Sequence, residues 1–144
     1  MIEIQITRLP HAPEKLPEYK SAGAAGMDLC LASDDLELKP GARALLPTGF
    51  AVAIPEGFEG QIRMRSSFAL RTGLLLPNAP GTIDPDYRGE LKVLVMNASR
   101  EAVTVHAHER FAQLIISPVE RCEWRVVEKL PESARSEGGF GSTG

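Results

Sequence analysis

The chain has 144 residues, of which 43% are hydrophobic and 24% charged, and its formal net charge is −3. That length suits one domain and is too short for two with separate cores, and the composition is that of an ordinary soluble globular protein. The slightly acidic balance supplies no global basic field for a nucleic acid polymer, although it leaves room for a local positive pocket that holds a small anion.

In chain order, Ile2, Ile4 and Ile6 alternate with Glu3, Gln5 and Thr7, the period-two mark of a half-buried strand. This opening lacks the basic and then apolar build of a targeting segment, and no apolar run approaches the ~20 residues of a membrane span. A cytoplasmic protein without a membrane partner is expected. Residues 9–20 hold three prolines and read as an extended connection. A short apolar run from Met27 to Leu31 follows SAGAAG. KPGA (39–42) and IPEG (54–57) are turn signals, with RALLP, GFAVAI and FEGQIRM as strand candidates around them. SSFALRTG (66–73) alone looks helical, for barely two turns before Gly73. GELKVLVMN (89–97) places Leu91, Val93 and Val95 on one face. AVTVHA and RFAQLIISPV are again rich in β-formers, and CEWRVVEKL is expected to close the folded part. Short strands with turns every ten residues or so imply an all-β antiparallel sandwich, barrel or jelly roll.

From Pro131 the composition changes to PESARSEGGFGSTG. Such a segment buries too little to offset its ordering, so residues 1–130 are expected to form the domain and 131–144 a flexible glycine-rich flap. A frayed terminus is the plain alternative. Cys30 and Cys122 show no metal-ligand spacing and are expected to be buried thiols. His11, His106 and His108 form no HExxH pattern and read as surface or strand histidines.

Four stretches carry candidate chemistry. In RMRSSFAL (63–70), Ser66 or Ser67 would cap a helix. Equally, Arg65 and the free N–H groups of a helix start would cradle phosphate. Asp28 follows small residues that let a backbone pass close by, and Gln113 is a polar residue inside an apolar run. The densest stretch is NAPGTIDPDYRGEL (78–91), read as a hairpin between two apolar runs. There Asp84, held extended by Pro85, suits a general base, Asn78 suits a pyrimidine edge, and Tyr87 offers a flat face to a sugar. A solvated turn with Asx-type roles is the alternative.

Taken in order, these segments resemble the motifs of the trimeric dUTP diphosphatases (dUTPases). AGMDL (25–29) is similar to the first motif, RSSFAL (65–70) to the second and NAPGTIDPDYRGEL to the third. ERFAQLI (109–115) is similar to the fourth and RSEGGFGSTG (135–144) to the fifth. The resemblance implies a jelly-roll protomer, a homotrimer with shared sites, and hydrolysis of dUTP to dUMP and pyrophosphate with Mg2+. It assigns Asp84 to the attacking water and Tyr87 to the deoxyribose, where the ring would leave no room for a ribose 2'-hydroxyl. Asn78, Gly81, Thr82, Ile83 and Lys92 fall to the uracil slot. Arg65, Ser66, Ser67 and Gln113 fall to the phosphates, and Asp28 to the hydrated metal. Arg135, Phe140, Gly141, Ser142 and Thr143 would close over the substrate. Departures are Met64 for the usual proline, Ser67-Phe68 for Gly-Leu, and His108 and Ser136 for glycines. Two rivals remain: a dCTP deaminase, which needs a glutamate about where Leu94 stands, and a non-catalytic jelly-roll trimer that binds nucleotide or partner proteins.

Overall fold

The structure is a computed structural model and describes residues 2–139. The tail residues Phe140, Gly141, Ser142 and Thr143 lie outside that range. Ten strands and one helix are described: β1 (Gln5–Arg8), β2 (Met27–Cys30), β3 (Leu36–Leu38), β4 (Arg43–Ala53) and β5 (Phe58–Met64) precede α1 (Ser66–Thr72). After it come β6 (Leu74–Leu75), β7 (Gly81–Ile83), β8 (Glu90–Asn97), β9 (Val103–Val105) and β10 (Arg110–Pro118).

Two four-stranded antiparallel sheets, ordered β1-β4-β8-β6 and β2-β10-β5-β7, form the body, with a β3-β9 ribbon beside them. Alternation builds the core. Leu91, Val93 and Val95 of β8 point inward with Leu46 and Val52 of β4, and meet Leu29, Ile62 and Leu114 of the other sheet in one cluster. The result is the expected all-β jelly roll. Buried Asn97 ties its rim: Nδ2 donates to the carbonyls of Leu38 and Glu101, while Oδ1 accepts from the Ser99 N–H and hydroxyl.

Three details differ from the sequence reading. RALLP and GFAVAI are one strand, β4, because the turn residues Pro47 and Gly49 fall in a bulge and not between strands. The stretch 78–91 is not a hairpin. β7 pairs with β5 and β8 pairs with β4 and β6, so this connection carries the chain from one sheet to the other. Finally, β10 ends at Pro118, and residues 119–139 form no strand or helix. Trp124 and Val126 in CEWRVVEKL are 93% and 95% exposed, and of the two cysteines expected to be buried Cys122 is exposed and Cys30 half-buried. The apolar side chains of this segment have no surface of their own chain to face.

α1 lasts seven residues. Gly73, at φ 69°, closes it in the left-handed region and donates its N–H to the Ala69 carbonyl. Phe68, one of the residues that depart from the family pattern, is buried edge-on against Phe111 of β10, with ring centroids 6.2 Å apart. That contact fixes the helix start beside β2 and β10.

Candidate active site

The candidate residues gather in two places. At the first, Arg65 is itself the residue preceding α1, and no side chain caps the helix. Ser66 and Ser67 are therefore the first two helical residues, not caps. Both serines are exposed and no side chain occupies the helix start, which suits an anion. Asp28 lies across from them on β2, level with Gln113 of β10. Arg65 Nε stands 3.2 Å from Asp28 Oδ1, and Arg110 donates to Asp28 Oδ2 at 2.9 Å. Arg65 also donates to the Arg110 carbonyl at 3.0 Å. With Asp28 only 11% exposed, one carboxylate thus braces two guanidinium groups. Gln113 is half-buried, and its Oε1 lies where a side chain at Gly26 would stand, 2.5 Å from that Cβ position. Glycine at this position leaves room for the Gln113 amide, which any side chain there would displace. Asp28, Arg65, both serines and Gln113 line a cavity of about 250 Å³.

The second place is the 78–91 connection. Gly81 is buried against Ile62, and the Asn78 amide nitrogen lies 3.5 Å from where its Cβ would be. Tyr87 donates its N–H to the Asp84 carbonyl and its hydroxyl to the Glu90 carbonyl at 2.9 Å. A side chain at Gly89 would meet that hydroxyl at 2.4 Å, so glycine there lets the ring lie across the backbone. Arg88 spends its guanidinium on the Pro85 and Tyr87 carbonyls, a structural role within the turn. Asp84 is left exposed, and with Thr82, Phe58 and Glu59 it lines a cavity of about 710 Å³. Lys92 stands apart from Asp84: on β8 opposite Pro47, its Nζ is 3.7 Å from Glu90 Oε2.

Register fixes the distance between the two places. On β5, Ile62 faces Gly81 and Gly60 faces Ile83, so Asp84 leaves level with Glu59, while Arg65 follows Met64 at the far end. Six residues of strand from Glu59 to Arg65 correspond to about 20 Å. No triphosphate spans that gap. Arg135, on the 119–139 segment, donates to the Gly138 carbonyl at 2.7 Å, and Ser136 beside it has φ 46°. His108 has φ 62°. Both positions where the family pattern has glycine therefore take the left-handed backbone that glycine prefers.

Among the described residues no group of three or more His, Cys, Asp or Glu side chains could cage a metal ion. Asp28, with both oxygens on guanidinium groups, fits contact with a cation only through the cation's water. Sequence reasoning missed Arg110, whose signal was its place in the ERFAQLI stretch already holding Gln113. It also missed Glu90. Burial pushes the Glu90 carboxyl up, but hydrogen bonds from His11 and the Gly49 N–H outweigh that and hold it below its ordinary value. Burial pushes the Cys30 thiol up, with the Asp28 charge adding to it, so that thiol is a poor nucleophile.

Comparison with known proteins identifies the family. A dUTPase family model matches residues 12–144. The deoxyuridine 5'-triphosphate nucleotidohydrolase of Syntrophotalea carbinolica is 51% identical over 144 residues, covering 99% of this chain and 97% of that protein. The protein of the same name from Desulfotalea psychrophila is 52% identical over 130 residues, covering 90% and 87%. Among solved structures, the dUTPase of Staphylococcus bacteriophage 80alpha with dUPNHPP superposes with a TM-score of 0.89 at 28% identity, covering 100% of this chain and 99% of that one. With the matched family spanning nearly the whole chain, this protein belongs to the dUTPase family.

Proposed function

We propose that this protein hydrolyses dUTP to dUMP and pyrophosphate, removing dUTP and supplying dUMP. The observation that carries the reading is the 78–91 connection, which presents an exposed carboxylate, an amide and an aromatic ring on one short turn. Asn78 and the backbone of Gly81, Thr82 and Ile83 read the uracil edge, and Tyr87 lies against deoxyribose. Asp84 takes a proton from water as the water oxygen bonds to the α-phosphorus. The bond to the bridging oxygen breaks, and pyrophosphate leaves. Arg65, Ser66, Ser67 and Gln113 hold the phosphates, so alignment and charge neutralisation carry much of the rate.

Members of the family generally use a divalent metal, and Mg2+ is the ion proposed here. When bound, it supplies further neutralisation of the triphosphate, and Asp28 holds its water shell. The partner is a homotrimer. Two half-sites about 20 Å apart on β5 serve one nucleotide only when separate copies supply them. The exposed Trp124, Val126 and Leu130 of the C-terminal segment give that assembly apolar surface to cover. The strands that end at Pro118 form the body, and 131–144 act as a flap, with Arg135, Phe140, Gly141, Ser142 and Thr143 closing on the substrate. Lys92 belongs at the edge of the uracil slot. The protein acts in the cytoplasm. Deamination is disfavoured because Leu94, half-buried on β8 opposite Leu45, offers no carboxylate.

Pyrophosphate release from dUTP tests the reading. Asp84→Asn is expected to lower kcat by about 10³-fold while retaining nucleotide affinity. Equal rates in the two proteins would remove the general base.

A further inference from the structure

The β4–β8 ladder breaks where β8 begins. Pro47 faces Lys92, but the next pair is Ala51 with Glu90, so β4 uses four steps where β8 uses two. Side chains supply what the ladder loses. Thr48 Oγ1 donates to the Leu91 carbonyl at 2.6 Å, and the Gly49 N–H donates to Glu90 Oε1 at 2.9 Å. The same carboxylate oxygen lies 2.7 Å from His11 Nε2, on the proline-rich connection. That connection is seated tightly. The Leu9 N–H donates to the Gly49 carbonyl at 2.8 Å, and the Ala12 Cα lies 2.4 Å from where a side chain at Gly49 would begin.

Glu90 therefore joins two systems. Its side chain, 11% exposed, gathers His11 and the bulge, while its backbone carbonyl receives the Tyr87 hydroxyl. Any looseness of the Glu90 backbone is transmitted to the angle of the Tyr87 ring. We propose that His11 and Glu90 are positioning residues that set the Tyr87 ring, and with it the rejection of a ribose 2'-hydroxyl. The inference rests on the dUTP reading of the site. A clasp that served stability alone would lower the melting temperature and leave sugar selectivity unchanged.

The test uses the full-length protein and compares kcat/KM for dUTP with that for UTP, alongside Tm. In His11→Ala the dUTP-to-UTP ratio is expected to fall about tenfold, the scale of one hydrogen bond to a charged group. His11→Gln, whose amide N–H also reaches a carboxylate, is expected to restore most of it. Glu90→Gln keeps an acceptor for Gly49 but loses the charge, and is expected to lower the ratio in the same direction by less. An unchanged ratio in His11→Ala, or an equal fall in His11→Ala and His11→Gln, would overturn the clasp while leaving the dUTP reading intact. A wild-type protein that releases no pyrophosphate from dUTP would instead overturn that reading, and this inference with it.

Discussion

The two ends of β5 are built on opposite plans. At the Met64 end, charges are already paired: Arg65 and Arg110 share Asp28, and Phe68 pins the helix start into the core. At the Phe58 end, Asp84 stands exposed on a connection that changes sheets, and its neighbours spend their hydrogen bonds on one another. One end is a preset cradle for negative charge. The other keeps a carboxylate open to solvent, as a base that must accept a proton requires.

Substitutions at each end should separate these plans. Arg65→Ala removes the preset cradle and is expected to lower kcat/KM for dUTP about 10²- to 10³-fold. Binding of dUMP, which lacks the outer phosphates, should change little. Titration calorimetry with dUMP alongside steady-state pyrophosphate release checks the split. Asn97→Ala strikes the frame common to both ends. It leaves the Leu38 and Glu101 carbonyls and the Ser99 groups short of a partner, and is expected to cost about 2–4 kcal/mol in denaturant unfolding. The chemistry of the surviving folded protein should be unaltered. His108→Gly acts only near the cradle, two residues before Arg110. It relieves a φ of 62° and is expected to raise stability by about 1 kcal/mol without altering turnover, as a thermal melt and an activity assay would show.

Much of this architecture was legible in the residues. Period-two alternation marked the inward face of β8, turn signals bracketed the strands β4 and β5, and SSFALRTG marked the helix through Gly73. What alternation does not encode is which strand pairs with which. NAPGTIDPDYRGEL therefore read as a hairpin, although β7 and β8 belong to different sheets. Nor does it reveal a bulge, so RALLP and GFAVAI stood as separate strand candidates although they are one strand kinked between Pro47 and Ala51. Asp28, Arg65 and Gln113 were visible as isolated residues, and β2–β10 pairing was needed to bring them together. Arg110, His11 and Glu90 were silent because their roles depend on partners far along the chain. CEWRVVEKL, expected to close the folded part, misled for a related reason: its apolar Trp124 and Val126 have no complementary face within one chain.

The most direct measurement is complementation between half-sites. Asp84→Asn and Arg65→Ala chains, each nearly inactive alone, are co-expressed and the mixed assemblies assayed for pyrophosphate release from dUTP. If separate copies contribute the carboxylate and the cradle, a one-to-one mixture joins two intact halves in about a quarter of its sites, and activity returns to that extent. Activity no higher than that of either variant alone would place both halves on the same chain and contradict the account.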